Sequence, residues 1–140
     1  MIGDSLLPLK KACYAALTGS SGFMALVTGV FDQEAPVSQA FNYVVIGAGT
    51  QLPFNTLGKS GRECTITFDI FTESMLGAAD GEAITGSLIT TLAQQNLTLS
   101  TTPAQTCVYV DLDNYSDRMD DGELPAYHGS ARLLFRTQEV

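Results

Sequence analysis

The chain has 140 residues, which fits one ordinary domain and leaves no room for a second core of similar size. An apolar fraction of 45% is too high for a disordered acidic chain, so compact folding is expected. Fifteen acidic residues against seven basic ones give a formal charge of -8; such a surface repels phosphate and disfavours tight nucleic-acid binding, though not a protein that surrounds DNA without gripping it.

The longest apolar runs, Tyr43-Val44-Val45-Ile46 and Phe23-Met24-Ala25-Leu26-Val27, fall far short of the roughly 20 residues that cross a bilayer, and no membrane span is predicted. Met1-Ile2-Gly3-Asp4 lacks the basic start of a secretory leader, so secretion is not expected. Cys13, Cys64 and Cys107 are widely spaced and odd in number, which gives neither a disulfide framework nor the close pairs of a zinc site; small core filler is their expected role.

Residues 4–18 read as a first helix, with Asp4 or Ser5 as cap, Pro8 tolerated in the first turn, and Leu9, Cys13, Ala16 and Leu17 on one stripe. Gly19-Ser20-Ser21-Gly22 ends it, and a short helix or turn over 23–27 leads into an extended passage from Gly29, broken at Pro36. From Phe41 to Ile46 both parities are apolar, the pattern of a central strand covered on both faces. A loop is expected at about 47–62, where glycines cluster around Pro53. Cys64, Ile66, Phe68 and Ile70 then alternate with Thr65, Thr67 and Asp69, a strand with one face on a core.

A second long helix is predicted over 78–95 from Ile84, Leu88 and Leu92, with Ile89 widening the stripe; Gly81 and Gly86 weaken it, and serve either close packing or a solvent-facing side. Two further strands, 107–112 and 130–135, flank an acidic loop at about 113–129. The order predicts an α+β fold, a mainly antiparallel sheet packed against two principal helices.

Signatures of chemistry fail one by one. Gly58-Lys59-Ser60 ends like a phosphate-binding loop, but Pro53 stands where its first glycine belongs. Gly47-Ala48-Gly49 is not followed by the helix a dinucleotide site needs. His128 is the only histidine and no nucleophile motif accompanies it, so a surface or loop histidine is expected. The acidic run Asp111, Asp113, Asp117, Asp120, Asp121 and Glu123 fails as a calcium loop: with Gly122 central, Met119 and His128 fall where oxygen ligands are required. No catalytic, cofactor or metal residues are assigned.

Three stretches together resemble the tail-completion or head-tail joining proteins of long-tailed bacteriophages, a family related in fold to tail terminators. They are Leu9 to Leu17 with its continuation through Gly29-Val30-Phe31 to Pro36; Phe41-Asn42-Tyr43-Val44-Val45-Ile46-Gly47 followed by Glu63 to Thr72 and the Ala79 to Leu92 helix; and the close from Tyr115 through Tyr127-His128-Gly129 to Arg136. Asn42 replaces a proline that often precedes the family's tyrosine. The resemblance implies a non-enzymatic subunit of a homo-oligomeric, hexameric ring without cofactor. The ring sits at the tail neck of a virion, meets the tail tube and the head connector or adaptor, and lets double-stranded DNA pass. A tail terminator and a small ligand-binding α+β domain are the alternatives. Gln51, Phe54, Lys59 and Arg62 around the first loop, with Asp117, Asp120, Asp121 and Glu123 in the second, are the candidate assembly or lumen residues.

Overall fold

The computed structural model describes residues 3–36, 39–55, 57–73, 77–94, 97–101, 104–120 and 126–140. Helix α1 (Leu6–Thr18) starts where the Asp4 carboxylate accepts from the backbone N–H groups of Leu6 and Leu7 at 3.3 and 3.1 Å, satisfying donors that have no partner within the helix. Its stripe Leu9, Cys13, Ala16 and Leu17 is buried. A single turn, α2 (Ser21–Met24), is capped by the Ser20 hydroxyl on the Phe23 N–H and drops Phe23 into the core.

Among the described residues six strands form one sheet in the order β1-β2-β3-β6-β5-β4: β1 (Gly29–Asp32), β2 (Tyr43–Pro53), β3 (Gly61–Glu73), β4 (Thr98–Leu99), β5 (Gln105–Asp120) and β6 (Ala126–Glu139). Among the described residues only the β1–β2 pairing is parallel. Helix α3 (Gly77–Gln94) packs with α1 on one face of the sheet. The expected α+β architecture with two principal helices is what the chain adopts.

On β3, Cys64, Ile66, Phe68 and Ile70 are fully buried against the helices while Thr65, Thr67 and Asp69 face the other way, as their alternation demands. Ile84, Leu88 and Leu92 of α3 meet them, together with Ala131, Leu133 and Phe135 of β6. Ile89 is partly buried beside this cluster. Cys13 and Cys64 are core filler as expected; Cys107 is half-buried.

Three sequence expectations change. The strand begun at Tyr43 lies one place in from the sheet edge, and the centre is the β3–β6 pair. The loop at 47–62 is mostly strand: β2 runs to Pro53 and β3 begins at Gly61. A bulge between Ile46 and Gly49 takes Gly47 and Ala48 out of register, which hides the alternation in the sequence, and Pro53 is tolerated as the last residue of its strand. The acidic loop at 113–129 is likewise mostly hairpin, because β5 continues to Asp120 and β6 starts at Ala126. Pairing along the whole length of β6 overrides the poor strand propensity of Asp and Asn there.

Candidate assembly surface

Alternation along the strands sends one set of side chains to the face that carries no helix. At one end of that face the register aligns Tyr43, Phe71 and His128 across β2, β3 and β6. Their rings stack, Tyr43 on Phe71 at 5.0 Å and Phe71 on His128 at 4.5 Å, and Phe41 and Phe31 continue the row at 5.8 and 6.2 Å from Tyr43. His128 Nε2 lies 3.1 Å from Asp69 Oδ1, and the Ser130 hydroxyl donates to the same oxygen at 3.4 Å. Gln33, Glu34 and Ala35 close over Tyr43, Val45, Asp69 and Phe71 to leave a cleft of about 250 Å³. His128 is therefore a half-buried strand residue on an aromatic row, not a loop histidine. Burial raises the pKa of the Tyr43 hydroxyl.

The other end of the same face is organised by Arg136. Its guanidinium lies 4.7 Å from the ring centre of Phe54 and 5.0 Å from that of Tyr109, and its Nε donates to Glu63 Oε2 at 3.2 Å. Leu52, Glu63, Arg136 and Tyr109 form one row across four strands. Between the two ends, Arg132 pairs with Asp113 at 2.6 Å on the surface.

The sequence-derived candidates separate into two groups at opposite ends of the sheet, since β3 runs from Gly61 beside the first group to Glu73 beside the second, about 40 Å at the rise of an extended strand. Gln51 is a structural tie: its side-chain amide donates to Asp4 and its oxygen accepts from the Ser5 N–H at 3.3 Å. Phe54 is committed to Arg136. Arg62 donates to the Gly61 carbonyl at 3.0 Å, and Lys59 is exposed in the β2–β3 turn. Leu57, in the same turn, is fully exposed. Asp117 and Asp120 belong to β5, opposite Gly129 and Ala126. Asp121 and Glu123 lie outside the described residues. Sequence reading missed the aromatic row because it exists only once the register of three strands is known; the one signal available was Phe71 on the polar parity of β3.

The Ser5 hydroxyl donates to Gln105, and its backbone is held by Gln51, so the start of α1 is clasped by β2 on one side and β5 on the other. Burial opposes ionisation of Asp4, but the Gln51 amide, the Leu7 and Leu6 N–H groups and the Arg62 charge outweigh it and hold the carboxyl below its usual range. Among the described residues no helix is long and apolar enough to cross a membrane, and no three His, Cys, Asp or Glu side chains are grouped to hold a metal.

Both sheet edges are open over part of their length. β1 covers β2 only from Tyr43 to Ile46, and β4 covers β5 only at Gln105 and Thr106, so among the described residues 47–53 and 108–120 have no neighbouring strand on their outer side. Such edges are ready templates for another chain.

No curated protein matches the sequence. Among solved structures, a chain in the virion of a native gene transfer agent particle superposes with a TM-score of 0.75 at 21% identity, covering 93% of this chain and 94% of that one. The gp17 protein of bacteriophage SPP1 superposes with a TM-score of 0.59 at 20% identity, over 94% of this chain and 91% of that one. These likenesses establish a shared fold. The family described as tail completion protein gp17 matches residues 11–138, nearly the whole chain. The chain belongs to that family: it is a structural, non-enzymatic tail-completion protein of a phage-like virion.

Proposed function

We propose that this chain is a single tail-completion domain that closes into a hexameric ring at the tail neck. There the ring would finish the tail tube and dock it to the head connector or adaptor while double-stranded DNA passes through its centre. Copies would be made and recruited in the host cytoplasm during assembly. The observation that carries this reading is the pair of open sheet edges. β2 and β6 run in the same direction and β5 runs opposite, so rotation about an axis along the strands presents β5 of one copy antiparallel to β2 of the next. That is the heterologous, self-repeating contact a closed ring requires. The β5 and β2 edges would then pair by strand addition.

A formal charge of -8 on each copy supports passage rather than capture of DNA, because a lumen bearing carboxylates repels phosphate. The β5 carboxylates Asp117 and Asp120, with Asp121 and Glu123 next in the sequence, and the turn with Phe54, Lys59 and Arg62 are proposed as the two ends that meet partners. Gln51 is withdrawn from that group because it fastens α1. The test is to add purified protein to tail tubes lacking their completion protein. A ring at one tube end under the electron microscope, with restored joining to filled heads, is expected; tubes that bind nothing and stay unjoined overturn the reading.

A further inference from the structure

Each open sheet edge has one short stretch that can take a neighbouring strand. On β5 the pairing with β6 is regular from Tyr109 to Leu112, between a bulge at Val108 and another at Asp113, and β4 stands outside Gln105 and Thr106. On β2 the pairing with β3 is regular from Gly49 to Pro53; a bulge at Gly47 and Ala48 precedes it, and β1 stands outside Tyr43 to Ile46. Pro53 has no N–H to give, so among the described residues the usable stretches are 109–112 and 49–52.

The two stretches stand at one height. Through Glu63 and Arg136, Leu52 shares a row with Tyr109; through Ile66 and Leu133, Gly49 shares a row with Leu112, and the two rows between them align likewise. Each residue of an antiparallel strand turns its N–H and C=O to one neighbour only, in alternation along the strand. Across four strands the two outer residues of a row therefore face outward together or inward together. A closed ring turns without rising, so it sets copies at equal height, where these donors and acceptors meet in matching alternation. The side chains agree. Tyr109 and Leu52 end their row on the helix-free face, 40% and 60% exposed. Leu112 pairs with the buried Leu133 and so ends its row on the helix-bearing face, 39% exposed. At the other end of that row, Leu6 Cδ1 lies 2.8 Å from where a Cβ of Gly49 would stand.

We propose that copies of this chain join through four antiparallel pairs: Tyr109, Val110, Asp111 and Leu112 of one copy opposite Leu52, Gln51, Thr50 and Gly49 of the next. Tyr109 then packs on Leu52 across the join, and Leu112 is covered by the Leu6 that overlies Gly49 in the next copy. The contact rests on the ring reading and deepens it, since it fixes the register between copies. A slip of one residue turns every side chain to the wrong face. A slip of two one way runs Pro53 of the next copy against Thr106, where β4 already stands; the other way it sets Gly49 and Thr50 against the bulge at Asp113. Bulges bend a strand and end its pairing, so β5 turns aside beyond Asp113 and leaves room for β1 of the next copy.

The experiment reads the join on protein assembled on tail tubes, in a Cys107→Ala background. Directly opposed residues have Cα atoms about 4.5 to 5.5 Å apart, within reach of a disulfide. Tyr109→Cys with Leu52→Cys is expected to give cross-linked ladders on a non-reducing gel after mild oxidation, while either variant alone gives none. A ladder from Tyr109→Cys with Thr50→Cys in its place means a slipped register and overturns the contact. Leu112→Lys is expected to weaken assembly roughly tenfold or more, with the melting temperature of the free protein unchanged. Assembly that Leu112→Lys leaves intact, or rings of the Tyr109→Cys, Leu52→Cys protein that give no ladder, overturn this join and leave the ring reading standing. Parent protein that forms no ring, alone or on tail tubes, overturns both.

Discussion

Asp4 shows how one side chain serves three tasks: it caps α1, accepts from Gln51 and sits in the field of Arg62. Asp4→Ala removes the cap and is expected to cost about 1 kcal/mol in urea denaturation. Its ordinary neighbour in the cap, Ser5, makes no such bond and is buried against Gln105 instead. The thiols carry a pH signature of the opposite sign. Burial pushes Cys64 up to about 12 and Cys13 higher still. Each is protonated in the folded protein where the unfolded thiol, at 9.0, already ionises, so its stabilising share is whole below pH 9 and is lost as pH rises toward the folded value. Stability is expected to fall as pH rises above 9. Cys64→Ala, compared with the parent at pH 8 and pH 10.5, checks this by showing a shallower decline. The burial of both thiols was legible in the sequence from the apolar stripe and the alternation around them. The tie between Gln51 and Asp4 was not, since the two meet only when β2 is laid beside the start of α1.

Elements with long, clean periods were legible: α1 and α3 by their stripes at helical spacing, β3 by four apolar residues on one parity. β5 was read too short because an edge strand buries little and its sequence carries no alternation to see; its conformation is imposed by β6. The bulge in β2 broke the period in the same way. The two glycines of α3, which the sequence left undecided, separate cleanly. A Cβ on Gly86 meets nothing, so Gly86→Ala is expected to stabilise the protein by about 0.5 to 1 kcal/mol through helix propensity alone. A Cβ on Gly81 would stand 3.2 Å from the Tyr115 hydroxyl, and Gly81→Ala should gain less or nothing. Thermal melts of the two variants side by side decide the point. Where the β2–β3 turn closes, a Cβ on Gly61 would stand 2.5 and 2.6 Å from two backbone carbonyl oxygens, those of Phe54 and Thr137. Neither carbonyl can move aside without breaking the sheet, so Gly61→Ala is expected to destabilise and to loosen the Phe54–Arg136 contact.

For the molecule as a whole, the strand that matters most is β6, which lies between β3 and β5 and pairs with both along its full length. Leu133→Ala opens a cavity at the middle of the core and is expected to cost about 2 to 5 kcal/mol by denaturant titration. Ending the chain at residue 125 removes the shared partner of two strands and is expected to abolish the cooperative thermal transition seen by circular dichroism. A chain that still melts cooperatively would mean that β1, β2, β3 and the helices fold on their own. The helix-free face with its aromatic row belongs to this scale too: its members come from four separate stretches of sequence, so no local pattern announced it.

The place of β6 also sets an order of events during synthesis. The ribosome makes β3 before any of its central partner exists, and the two are joined across residues 74–125. At the usual 5 to 20 residues per second, the gap between Glu73 and Ala126 leaves β3 waiting roughly 3 to 11 seconds. Through that interval its apolar row has α1, α3 and β2 on offer but its second edge is bare. An early half of the fold in that state would join its own kind indiscriminately, and the arrival of β6 turns that exposed intermediate into a fold with two defined edges.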